Sequence, residues 1–160
     1  MSDRFCSALA RLLGRPWALL SISLTLICLT TPMQGRAKVQ VIRADMGGDL
    51  QQRLDEVERL RGQDIWLRIE GICVSACTLY LGLPKACVAD TARLGFHGPR
   101  SRLAGLPLPR PIFDHLSQQM ARHYPPPLRR WFMTKARLVT RDYYELSGAQ
   151  AVAMGARRCG

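Results

Sequence analysis

Residues Lys38–Ala44 read KVQVIRA, Asp45–Asp49 read DMGGD, Leu50–Arg61 read LQQRLDEVERLR and Asp64–Ile69 read DIWLRI. The first segment alternates apolar and polar residues and is rich in Val and Ile, the pattern of a strand. Gly47-Gly48 inside DMGGD marks a turn. Leu50, Leu54, Val57 and Leu60 then recur at helical spacing between charged residues. That spacing predicts an amphipathic helix, with Asp49 placed to cap its start and Gly62 to stop it. DIWLRI is a second strand. Strand, glycine turn, helix and strand in this order make a βαβ unit, which implies parallel pairing through a right-handed crossover. The fold class is therefore α/β.

The chain beyond this unit continues the pattern. Gly71–Cys77 (GICVSAC) is a tight run of mostly small residues, and apolar Thr78–Leu83 predicts the start of a helix on the sheet. Ala86–Ala89 and Arg93–His97 are short strand candidates, the second running into Gly98-Pro99. Residues 98–111 are rich in Pro, Gly and Arg and read as a surface loop. Phe113, Leu116 and Met120 give Ile112–Tyr124 a helical period, ended by Pro125-Pro126-Pro127. Leu128–Ala136 and Ala149–Met154 predict two more helices, the last closed by Gly155. His115 and His123 stand two helical turns apart, too far for a shared ligand, and read as surface residues. There is no internal repeat and no linker between two cores, so residues 38–160 form one domain.

Residues 1–37 read differently. Arg4, Arg11 and Arg15 make a basic start, Trp17–Leu29 is apolar apart from Ser and Thr, and Gly35-Arg36-Ala37 offers small residues at a cleavage site. The apolar run falls short of the ~20 residues that span a bilayer. A cleaved export signal is favoured over an uncleaved inner-membrane anchor, which gives a periplasmic or secreted protein.

The whole chain carries a net charge of +11, nearly all of its positive charge on arginine, since lysine occurs only at Lys38, Lys85 and Lys135. Without residues 1–37 the balance is 19 basic against 11 acidic residues. The basic residues are spread along the chain, and no nucleic-acid motif accompanies them. A solvated arginine-rich surface is the main reading, and contact with an anionic membrane surface stays open. Cys73, Cys77, Cys87 and Cys159 remain in the exported part, an even number that suggests disulfides in an oxidising compartment. Zinc on Cys73, Cys77 and Cys87 is the rival reading, but no histidine stands at a matching close spacing. No metal and no cofactor is expected.

Three features carry candidate chemistry: Gly47-Gly48 after the first strand, Ser75 in the small-residue run after the second, and His97 at the end of a later strand. A serine nucleophile needs a base within hydrogen-bond reach and N–H groups aimed at the developing oxyanion. In a parallel α/β sheet the C-terminal strand ends converge on one crevice, so all three could line one cleft. Their order and spacing resemble the proteolytic subunit of Clp protease and its crotonase-fold relatives. That family has a Ser-Pro-Gly-Gly turn, a Gly-x-x-x-Ser segment and a strand ending in His. Here the corresponding stretches are Asp45-Met46-Gly47-Gly48, Gly71-Ile72-Cys73-Val74-Ser75-Ala76 and Gly95-Phe96-His97-Gly98-Pro99. Leu146–Gly155 (LSGAQAVAMG) resembles a later segment of the same family. The likeness is greatest to exported bacterial Clp-like proteins with a Cys-x-Ser-Ala-Cys-Thr signature.

The resemblance implies a Clp-protease-like and crotonase-like parallel sheet of βαβ units with flanking helices. It makes Ser75 the nucleophile, His97 the general base, and the N–H groups of Gly48 or Gly47 and Ala76 the oxyanion hole. Asp142 is the nearest candidate for the third acid, with Glu145 as fallback. It also implies a peptide or small-ester substrate and leaves a homo-oligomer open. No ATP-dependent unfoldase is expected as partner, since an exported protein meets no ATP. Cys73 and Cys77 flank Ser75 where the Clp subunit has neither, and a Cys77–Cys87 disulfide would pin the nucleophile turn. The alternative function is a catalytically inactive Clp-like binding or assembly module.

Overall fold

In the computed structural model, which describes residues 38–101, 103 and 106–160, strands β1 (Lys38–Asp45) and β2 (Ile65–Val74) pair in parallel across helix α1 (Leu50–Arg61). This is the βαβ unit that the sequence predicts. Asp49 caps α1 by accepting from the Gln52 N–H at 3.0 Å, and Gly62 ends the helix. Val57 and Leu60 are buried, so the apolar stripe of α1 faces the core. The segment read as an export signal lies outside the described residues.

β2 does not stop at Ile69. It runs on to Val74, directly into the small-residue segment. The register shifts between Ile42 and Ala44, whose partners are Ile69 and Ile72, so β2 gains one residue there. Gly71 sits in this irregularity, and a Cβ on it would overlap the Arg43 carbonyl oxygen. The missing side chain is what lets β2 hold close to β1 and carry the chain to Ser75.

The edge of β2 opposite β1 is shared by two short parallel strands. β3 (Ala86–Val88) pairs with Leu67–Ile69, and β4 (Arg93–Phe96) with Ile72–Val74. The sheet is not wholly parallel, which corrects the expectation. Helices α2 (Arg110–Ala121) and α3 (Pro126–Thr134) follow β4 in the chain. Strand β5 (Tyr144–Ser147) then starts opposite Phe96 and runs antiparallel to β4. The result is a mixed five-stranded α/β sheet with flanking helices. α2 ends at Ala121, before the prolines expected to end it at Tyr124, and Pro126 and Pro127 instead start α3, in a first turn whose N–H groups have no helical acceptor. Helix α4 (Gly148–Ala153) opens with a capping box between Ser147 and Gln150.

The core is built from Leu67 and Ile69 of β2, Leu94 and Phe96 of β4, Leu79, and the inner faces of α2 and α3. Phe96 packs edge-on against Tyr124 and Trp131 with centroids 5.6 and 5.5 Å away. His115 is exposed as expected. His123 is half-buried, and its Nδ1 is buried without a hydrogen-bond partner among the described residues.

All four described cysteines are in disulfides, paired Cys73–Cys77 and Cys87–Cys159. The Cys77–Cys87 pairing is thereby corrected, and no thiolate is left for a zinc site. The reason is a backbone pairing that follows α4: Val88 N–H donates to Arg157 O at 2.9 Å and Cys159 N–H to Val88 O at 3.0 Å. This lays Cys159 beside Cys87. Two disulfides fit an oxidising compartment. Among the described residues no helix is long and apolar enough to cross a membrane.

Candidate active site

Ser75 sits where β2 gives way to a 3-10 helix, Ser75–Gly82. The sequence places that helix at Thr78, but it starts three residues earlier, at Ser75 itself. Ser75 has φ +61°, the one left-handed non-glycine residue among those described. A residue held there costs about 1–3 kcal/mol and needs surroundings that fix it. It makes a sharp strand-to-helix turn of the kind that presents a nucleophile hydroxyl.

Three devices hold the turn. The Cys73–Cys77 disulfide brackets it with Ser75 at the midpoint. Thr78 Oγ1 donates to the Ser75 carbonyl at 2.7 Å, and it lies 2.8 Å from the buried Tyr124 hydroxyl. A carbonyl can only accept, so the Thr78 proton goes to Ser75 and the Tyr124 hydroxyl donates to Thr78. Burial pushes the Tyr124 phenol far above its ordinary pKa, which keeps that donor protonated. The third device is Gly47, at φ +93°. A Cβ on it would come within 2.6 Å of Ser75 Cβ and 2.8 Å of the Val74 carbonyl oxygen. The two glycine-bearing turns are therefore packed backbone to backbone.

The same geometry sorts the oxyanion-hole candidates. Gly47 N–H donates to Asp45 Oδ1 at 2.8 Å, an Asx turn, so it has no N–H to offer. Gly48 and Ala76 line the cavity with Ser75. Ala76 is in the first turn of its helix, where N–H groups lack helical acceptors, and no side chain caps this helix. Asp45 is itself held by Arg53 in a 2.8 Å ion pair, and the Arg53 guanidinium lies over the Tyr80 ring at 4.5 Å.

His97 follows β4 and is buried, 8% exposed. It lines the same cavity, about 800 Å³, whose apolar wall includes Leu50, Leu108, Leu116 and Met120. Its Nδ1 lies 2.6 Å from the Gly98 carbonyl oxygen. In the neutral ring Nδ1–H must donate there, leaving the lone pair on Nε2, the tautomer a general base requires. Among the described residues no hydrogen bond joins Ser75 Oγ to the ring. Asp142 is exposed; its Oδ1 accepts from the Tyr143 N–H at 2.8 Å, and its carbonyl accepts from Arg100 Nη2 at 2.7 Å. Glu145 is exposed and paired with Arg93 through both oxygens, at 2.9 and 2.8 Å. The group on His97 Nδ1 is thus a backbone carbonyl, where the sequence expects Asp142.

Burial chiefly, with a contribution from the Arg100 charge, holds the His97 pKa below its usual 6.5, against the opposing pull of the Gly98 bond. A base with a lowered pKa stays free to lower pH. The His97 imidazole is therefore expected to titrate with its midpoint below 6.5, measured by NMR as a pH titration of its ring protons. A midpoint above 6.5 would contradict the buried, uncharged imidazole.

The residues that sequence reasoning left out are Asp45, Arg53, Thr78, Tyr124 and Gly98. Asp45 had a signal, the Asp-x-Gly spacing of an Asx turn. Gly98 acts through its carbonyl, which no side-chain pattern reports. A scan of protein-family models and a sequence search of curated proteins found no match to the chain.

Proposed function

We propose that the chain is an exported, Clp-like serine hydrolase acting on peptide bonds or small esters. Ser75 Oγ attacks the carbonyl carbon, and its proton passes to His97 Nε2. The developing oxyanion takes the N–H groups of Gly48 and Ala76, and His97 returns the proton to the leaving group. Water then repeats the sequence to release the acyl group. The observation that carries this reading is the backbone-to-backbone seat of Gly47 on Ser75. It packs the glycine turn against the left-handed serine, in a cavity that Gly48, Ser75, Ala76 and His97 line together. The Clp-like likeness rests on the chain's own motifs.

A second reading, a catalytically inactive Clp-like binding or assembly module, is favoured because, among the described residues, Ser75 makes no hydrogen bond to His97 and no carboxylate partners that ring. An apo site can be looser than the reacting one. A neutral fluorophosphonate distinguishes the two. Correctly oxidised protein is expected to be labelled at Ser75, with no label on Ser75→Ala. His97→Ala is expected to label slower by on the order of a thousand-fold. An unlabelled wild-type protein that cleaves neither peptide nor ester leaves the binding module as the better description.

A further inference from the structure

The cavity at Ser75 does not end at His97. Pro99, Arg100, Ser101 and Leu108 line it, and the same four residues line an adjoining cleft of about 460 Å³. The adjoining cleft adds apolar Leu103, Leu106 and Phe113 and a second guanidinium, Arg141. Arg100 and Arg141 are exposed, and among the described residues no carboxylate pairs with either. Other arginines of this region are compensated: Arg110 and Arg137 share Asp114 at 3.1 and 2.7 Å. Arg100 is tethered by its bond to the Asp142 carbonyl, a neutral partner that leaves its charge unspent, while the Asp142 carboxylate turns to Tyr143. Asp49 does line the Ser75 cavity, but it caps the start of α1 by accepting from Gln52 N–H. Arg100 lines one cavity with Ser75 and His97, which puts its charge beside them.

We propose that Arg100 and Arg141 form an anion subsite next to Ser75, which takes the free C-terminal carboxylate of a short peptide ending in an apolar residue. The proposal rests on the hydrolase reading for its meaning in catalysis, but the subsite can be tested without it. Guanidinium groups suit carboxylates because their N–H donors match the two oxygens. Leu103, Leu106 and Phe113 supply the contact for an apolar final side chain. Among the described residues neither guanidinium of this cleft is in an ion pair, and two such charges attract an anion most strongly at low salt.

The test measures equilibrium binding to oxidised Ser75→Ala protein, which removes turnover. The probes are Ala-Ala-Leu-Leu with a neutral dye on its N-terminus, once with a free C-terminal carboxylate and once as the carboxamide. At 20 mM salt the carboxylate is expected to bind about five- to ten-fold tighter. The advantage is expected to shrink in 0.5 M salt and to vanish on adding Arg100→Gln and Arg141→Gln. Equal affinities, no binding of either peptide, or an advantage that survives both substitutions would overturn the subsite. Labelling of the wild-type protein by the neutral fluorophosphonate is read separately. Labelled Ser75 with equal peptide affinities removes the subsite alone. A carboxylate preference with unlabelled Ser75 removes the hydrolase reading alone.

Discussion

Gly47→Ala is expected to slow fluorophosphonate labelling of Ser75 by on the order of 100-fold or more, although it leaves Ser75, His97 and all four cysteines in place. The Cβ it adds would stand 2.6 Å from Ser75 Cβ and 3.0 Å from Ala76 N, with the Val74 carbonyl oxygen at 2.8 Å. None of these is the far end of a flexible side chain. One of the two turns must move, and a displacement near 1 Å at a reacting group is enough for a loss of that size. The backbone adds its own penalty, since φ +93° is a conformation that alanine rarely adopts. Gly48→Ala is the informative control. It sits at φ +135° and is strained too, but a Cβ there meets nothing within 4 Å. Both variants should melt at lower temperature than wild type, yet only Gly47→Ala should disturb the Ser75 turn by contact. If Gly47→Ala labels at the wild-type rate, the packing of the two turns has no bearing on Ser75.

The legible and illegible parts of this fold differ in physical kind. β1, α1 and β2 follow from local pattern: alternating Val and Ile, a 3.6-residue apolar period, and an aspartate with its side chain on the Gln52 N–H. Ser75 and His97 could be picked out because each follows a strand. Their arrival at one cavity depends on β4 pairing with β2 along Ile72–Val74, a long-range event. β5 has only four residues, of which Leu146 alone is buried, so it offers no alternation to read. Its antiparallel direction is seen only in its register with β4, Arg93 opposite Ser147 and Phe96 opposite Tyr144, and not in its own residues. The start of the 3-10 helix at Ser75 is hidden for a related reason, since a run of small residues has no apolar period. The tautomer of His97 is fixed by the next residue's carbonyl, a group every residue has. Local chemistry was visible in the residues; partners supplied by the backbone or by distant segments were not.

The two disulfides are expected to separate stability from reactivity. Cys87–Cys159 closes a span of 72 residues and Cys73–Cys77 one of only 4. In the chain-entropy account a long loop restricts the unfolded state more, giving about 4 kcal/mol for the first and about 2 kcal/mol for the second. Cys87→Ser with Cys159→Ser removes the larger constraint. It also frees the C-terminal segment held by the Val88 bonds to Arg157 and Cys159, yet it leaves the Ser75 turn untouched. Urea unfolding of this variant should lose about 4 kcal/mol, while the folded fraction still labels within a few-fold of the wild-type rate. Cys73→Ser with Cys77→Ser should do the reverse. Its cost in unfolding free energy is smaller, but it releases the bracket that helps hold Ser75 at φ +61°. Labelling of that variant should fall by at least ten-fold at a denaturant-free stability where nearly all molecules are folded. The Thr78 bond to the Ser75 carbonyl remains and keeps the loss from being complete. Both variants losing stability and reactivity in the same proportion would mean that the Cys73–Cys77 bridge is only a staple, and that the left-handed turn is set by Gly47 and Thr78 alone.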